Sequence, residues 1–255
     1  MSKETKKAFF FHIRHDKWLN TLGKIKQIYA SLAAANKLGF LIGVEPQCLA
    51  DWNTQMSYFS ECSNIPVMLN VFTSDEGLQL SLSQINQVVE VCPVRYLRFH
   101  EVVSYHRDIL KKPLPLPYIQ SILSYAKNMG ITVFWSEWDV TAYPKIVNTI
   151  RGFEEYVAVS FGTNNNVYEP AQGFKILQQF RKRGASIQSW YWWERHGKKP
   201  KGELDMPPHL MAQHTNDALA AGCEVIQFEP FWYFFNKEAP KTTLAMMFEQ
   251  IRNGN

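Results

Sequence analysis

The chain has no apolar run long enough to cross a bilayer. Its first residues, MSKETKK, lead into a short aromatic stretch with no export-signal core. No membrane association is expected, and as it stands the sequence is expected to be made without export; its native compartment stays open. Cysteine is scarce. The four residues at 48, 62, 92 and 223 fit no zinc, iron–sulfur or redox spacing, so neither metal nor cofactor is expected. Neither Gly-x-Gly-x-x-Gly nor a P-loop follows the first strand-like segment, which argues against an open doubly wound sheet. Charge of one sign is also lacking. Lys and Arg number 27 against 23 Asp and Glu, a net charge of +4. The one basic run, Lys198-Lys199-Pro200-Lys201, is broken by proline and followed by Glu203, so it reads as a solvated loop and no nucleic-acid partner is expected.

Apolar residues are plentiful at 46%, enough for a sizeable core. Aromatic residues reach 14%, more than a core requires, and gather in clusters such as Trp190-Tyr191-Trp192-Trp193. Strand-like and helix-like segments alternate. The strand candidates are Ala8–His15, Phe40–Glu45, Ile65–Phe72, Val94–Glu101, Ile131–Asp139, Tyr156–Thr163, Ala185–Trp193 and Cys223–Phe231. Between them lie segments with helical periodicity, for example Leu19–Leu38, Leu80–Val91, Tyr118–Met129, Ala142–Tyr156, Ala171–Arg183 and Leu210–Ala221, with Thr242–Arg252 closing the chain. Gly39, Gly130, Gly184 and Gly222 stand where helices should stop. Eight such units in strict alternation predict parallel strands closed into one (β/α)8 TIM barrel over residues 1–255. An open doubly wound sheet is the other arrangement compatible with the pattern.

A barrel of this kind places its chemistry at the C-terminal ends of the strands, and here those ends are polar and aromatic. In strand order they offer His12 and Arg14, Glu45, Arg98 with His100 and Glu101, and Glu137 with Trp138 and Asp139. Asn164 follows, then Trp190, Trp192, Trp193, Glu194 and Arg195, and finally Glu229 with Trp232. The opposite ends are bland. Paired carboxylates can cleave glycosidic bonds, one as proton donor and one as nucleophile or base, while aromatic faces hold sugar rings. Glu101, Glu194 and Glu229 are among the carboxylates open to such a role, and the others are candidate substrate binders. Glu137 and Asp139 share one strand parity, so both could face the barrel interior.

One stretch carries a resemblance. Ser189-Trp-Tyr-Trp-Trp-Glu194, Pro207-Pro208, Gln213, Asp217-Ala-Leu219, Gly222 and Phe228-Glu229-Pro230, together with Phe134-Trp-Ser-Glu137 and Glu101, resemble glycoside hydrolase family 98 over strands four to eight. The resemblance implies an endo-acting, inverting hydrolase of an oligo- or polysaccharide. Glu101 would be its general acid and Glu229 part of its base, with Glu194 standing where the family has Asp. The same residues also fit a retaining barrel glycosidase using Glu101 and Glu194, or a carbohydrate-binding barrel without catalysis. A metal-dependent hydrolase is disfavoured, because His12 and His15 find no further His at strands five, six or eight. A monomer or weak homo-oligomer is expected.

Overall fold

The computed structural model describes residues 7–13, 39–47, 51–74, 78–137, 139–163, 168–188, 206–229 and 246–251. Its centre is a closed barrel of eight parallel strands. In chain order these are β1 (Ala8–Ile13), β2 (Leu41–Pro46), β3 (Val67–Thr73), β5 (Val94–His100), β6 (Thr132–Glu137), β7 (Val157–Gly162), β8 (Lys182–Gln188) and β9 (Val225–Glu229). Each pairs with the next. β9 returns to β1 through Ala8↔Val225 to Phe11↔Phe228, which closes the ring. A two-residue strand, β4 (Leu78–Gln79), lies antiparallel on the end of β3 and has no counterpart in the sequence reading.

The strands are buried on both faces, which explains why they read as near-continuous apolar runs. β1, AFFFHI, is buried at every position. Inside the barrel, Ala8, Phe10, Met68, Tyr96, Phe134, Ala158 and Val225 form an apolar floor, with Phe10 edge-on to Tyr96. The opposite strand face packs beneath the helices α1 (Trp52–Glu61), α2 (Leu82–Val91), α4 (Leu116–Met129), α5 (Tyr143–Thr149), α6 (Pro170–Ile176) and α7 (Pro208–Ala220), while the short α3 (Val102–Ser104) sits directly after β5.

Helix ends follow local chemistry. Ser81 and Gln84 form a reciprocal capping box at the start of α2. Gly39, Gly130 and Gly222 adopt positive φ, as stop signals should. Gly184 behaves differently: it lies within β8, where an added Cβ would stand 2.4 Å from the Phe134 ring. What reads as a helix stop is a close approach inside the barrel, and β8 begins three residues earlier than its apolar pattern suggests. The helix α1 escapes the sequence reading because only Gln55 and Phe59 of its ten residues are buried, too few to show a period.

Candidate active site

Strand alternation sends one residue in two into the barrel. Above the apolar floor this series becomes polar: His12 on β1, Glu45 on β2, Asn70 on β3, Arg98 and His100 on β5, Ser136 on β6, Gln188 on β8 and Glu229 on β9, all buried. Arg98 is the hub, with 1% of its surface exposed. Its Nη1 donates to Glu45 Oε1, its Nε donates to Ser136 Oγ at 3.1 Å, and its Nη2 stands 3.7 Å from Glu229 Oε2. Asn70 Nδ2 donates to Glu45 Oε1 at 2.6 Å, and His12 Nδ1 lies 3.3 Å from the same oxygen. Gln188 Nε2 donates to Glu229 Oε2 at 2.8 Å.

Burial alone would raise the pKa of these carboxyls, yet both stay ionised. The Arg98 charge, assisted by His12, holds Glu45 well below the usual carboxylate range. Glu229 is lowered by Arg98, then by His12 and His100, against the pull of burial.

Beyond this hub, at the end of β5, stands the pair that reaches outward. Glu101 has a left-handed backbone, φ 58°, which is uncommon for a residue with a side chain. The turn is held by the Glu101 amide donating to Ser136 O and by the Tyr105 amide donating to Glu101 O, both at 2.8 Å. It brings Glu101 Oε1 to 3.4 Å from His100 Nε2, while Ser74 Oγ donates to Oε2 at 2.7 Å. Burial works against the Glu101 charge, but His100, Ser74 and Arg98 together bring its pKa down to about 2. Burial and Arg98 push His100 down, and the Glu101 carboxylate, with Glu229 behind it, outweighs them so that its pKa is raised. The two form a histidine–carboxylate pair in which each partner favours the charged form of the other.

These values fix the sign of the acid dependence. A carboxyl whose folded pKa is depressed contributes stability that is complete above its unfolded value and lost as pH falls through its folded value. Glu45, Glu101 and Glu229 all belong to this class. For Glu101 the window runs from 4.5 to about 2. We expect the urea midpoint of the wild-type protein to fall through that window, and the Glu101→Gln variant to show a shallower decline. Parallel curves for the two proteins would contradict the assignment.

Six of the expected site residues, His12, Glu45, Arg98, His100, Glu101 and Glu229, thus converge on the mouth and its floor. Two stand elsewhere. On β6 the inward residues are Phe134 and Ser136, so Glu137 shares the outward parity of Trp135. Its carboxylate accepts from Trp135 Nε1, from the Val103 and Ser104 amides and from Ser104 Oγ, at 2.7–3.1 Å, and burial still pushes its pKa up. Asp139 caps the turn at Thr141 and pairs with Arg107 Nη2 at 2.6 Å. The shared parity of Glu137 and Asp139 therefore does not turn Glu137 inward, and both carboxylates are engaged by residues of the turns that follow β5 and β6. Arg14, Trp138, Asn164, Trp190, Trp192, Trp193, Glu194, Arg195 and Trp232 lie outside the described residues. Ser74 is the partner that sequence reasoning passes over; its place just beyond the end of β3 is the only signal for it. Among the described residues no group of three or more His, Cys, Asp or Glu could hold a metal ion.

No family model matches this chain, and no curated protein matches it either. Solved structures do. Dihydropteroate synthase from Thermus thermophilus matches with a TM-score of 0.57 at 7% identity, over 94% of this chain and 92% of the other. The Coxiella burnetii dihydropteroate synthase, in complex with pteroic acid, gives 0.56 at 8% identity over 96% and 92%. A putative spore coat polysaccharide biosynthesis protein E from Chromobacterium violaceum gives 0.55 at 12% identity over 96% and 75%. These neighbours are synthases and a biosynthesis protein, not glycoside hydrolases, and no family model supports family 98. The expected membership of that family, and with it the glycosidase activity, is corrected. The site supplies a physical reason as well: a general acid must hold its proton near neutrality, and Glu101 at about 2 gives its proton up. At these identities the likeness establishes architecture alone, and that architecture is the TIM barrel.

Proposed function

We propose that this barrel is an acid–base enzyme acting on a small polar molecule, neutral or cationic and rich in hydrogen-bond donors. The observation that carries the reading is the 3.4 Å contact between His100 and Glu101, held at the mouth by a left-handed turn. Strained backbone at the end of a barrel strand accompanies function more often than packing. Glu101 engages Nε2 of the imidazole, leaving Nδ1 to exchange a proton with a ligand. His100 thus gives a proton as imidazolium and takes one back as imidazole, and Glu101 fixes its orientation and raises its basicity.

Charge supports the substrate class. Of the three described carboxylates at the mouth, Glu45 and Glu229 are buried against Arg98 and His12, while Glu101, with 21% of its side chain exposed, is the one open to a ligand. A carboxylate at the edge of a partly desolvated cleft favours donors and cations over anions. Pteroic acid, bound by the Coxiella burnetii neighbour, is an acid and fits such a carboxylate poorly.

The test is a thermal-shift screen of amines, polyols and carboxylic acids, followed by NMR of the stabilising compounds in D2O with catalytic amounts of protein. We expect amines or polyols to stabilise the fold, and at least one that also carries a carbonyl group to incorporate deuterium at the carbon beside it, where exchange without a catalyst is slow. That rate should fall about 10²- to 10⁴-fold in His100→Asn, the usual contribution of a positioned acid–base group. Stabilisation by carboxylic acids alone, or exchange unaffected by His100→Asn, would overturn the proposal.

A further inference from the structure

The structure assigns Glu137 a positioning role: its carboxylate anchors the turn that presents Glu101 to His100. The inference rests on the reading of His100–Glu101 as the proton-transfer pair and explains what keeps that pair in register.

Three observations lead to it. Glu137 is 3% exposed, and every hydrogen bond it accepts comes from an uncharged donor. A buried carboxylate without a partner cation is a costly feature. Next, the donors are not scattered. Three of the four belong to Val103 and Ser104, the second and third residues after Glu101. The fourth, Trp135 Nε1, comes from the same strand as Glu137 at 3.0 Å and fixes the carboxylate from behind. Lastly, the residue just before Glu137 completes the clamp, since Ser136 O accepts the Glu101 amide and Ser136 Oγ accepts from Arg98 Nε. Neighbouring residues of β6 thus hold the β5 turn on both sides of Glu101. The αL backbone of Glu101 is a costly conformation for a residue with a side chain, and persists only where its surroundings over-determine it.

The physical consequence runs through geometry. If the Val103 and Ser104 amides lose the carboxylate, the turn can relax towards ordinary φ. The Glu101 side chain then swings away from His100 Nε2. The charged groups facing His100 are Glu101, Glu229 and Arg98, and only the first is carried on this turn. A loosened turn removes the carboxylate that raises His100 and leaves Arg98, which lowers it.

The test needs no substrate. The His100 ring is titrated by NMR in the full chain, assigned through His100→Asn among the seven histidines. Wild type should titrate above the ordinary histidine value. Glu101→Gln sets the level expected when the carboxylate is lost. Glu137→Gln, which keeps size but presents an NH2 to amide donors, should lower the titration point by roughly half a unit or more towards that level. Ser104→Ala, which removes one of the four bonds, should move it in the same direction by less, and serves alone should Glu137→Gln not fold. An unmoved His100 in a folded Glu137→Gln, or in Ser104→Ala where that variant stands alone, would overturn the positioning role. A wild-type His100 at or below the ordinary value would instead count against the ionised pair itself.

Discussion

Replacing Arg98 by Met is expected to lower the free energy of unfolding by about 3–5 kcal/mol at neutral pH. Methionine fills a similar volume, so the loss is electrostatic. Arg98 is the one guanidinium facing Glu45 and Glu229 among the described residues, and both carboxyls are buried. Without it, two negative charges remain in a low-dielectric interior with only histidines to oppose them. The protein must then unfold more easily or bind protons. For that reason the deficit should shrink as the pH is lowered and the stranded carboxyls become neutral, opposite to the trend of the wild-type protein. Adding Glu45→Gln and Glu229→Gln to Arg98→Met should recover part of the deficit at neutral pH, since uncharged amides replace the stranded charges. Urea denaturation at pH 7 and pH 5 measures all of this. A loss under 1 kcal/mol, or one unchanged between the two pH values, would show that Arg98 is not the electrostatic hub.

The second large effect is steric. Gly43, inside β2, is expected to tolerate no side chain. A Cβ there would lie 2.4 Å from Phe10 Cε1 and 2.5 Å from Pro66 O. The ring could turn away, but the carbonyl cannot, because it accepts the Val44 amide at 2.9 Å where β2 closes on β3. Relief therefore requires opening the barrel seam. Gly43→Ala should cost about 3 kcal/mol, the upper part of the range for overpacking. Gly39→Ala is the control. Gly39 has positive φ, 79°, but open space around its Cβ position, so only backbone strain of about 1 kcal/mol is at stake. Thermal midpoints should fall far more for Gly43→Ala than for Gly39→Ala, and equal losses would contradict the account.

The barrel was legible in the sequence because its signals are local and repeated. Apolar runs mark strands buried on both faces, and Gly130 and Gly222 mark helix ends. The concentration of charge at strand ends likewise pointed to the mouth, since His12, Glu45, Arg98, His100, Glu101 and Glu229 do converge there. What remained hidden depends on geometry that sequence does not carry. Glu137 and Arg98 are both charged residues late in a strand, yet one faces the helices and the other the interior. Only the register of β5 against β6, Arg98↔Phe134, tells them apart. The left-handed turn at Glu101 has no sequence signature at all, since glycine or asparagine would be the usual marker. The family resemblance failed for a related reason. Short words of Trp, Glu and Pro after barrel strands arise wherever such a mouth is built, so they report architecture before chemistry.

The apolar floor formed by Phe10, Met68, Tyr96 and Phe134 has a further meaning. It closes one end of the barrel with hydrocarbon, so that the polar tier of His12, Glu45, Arg98 and Glu229 lies on the other side of a plug several rings thick. The turns beneath the plug, at Gly39, Gly130 and Gly222, are insulated from that tier by the thickness of those rings. A change of sequence in those turns should therefore register in folding and leave the electrostatics of the polar tier untouched. Packing and charge are thus assigned to opposite ends of one cylinder.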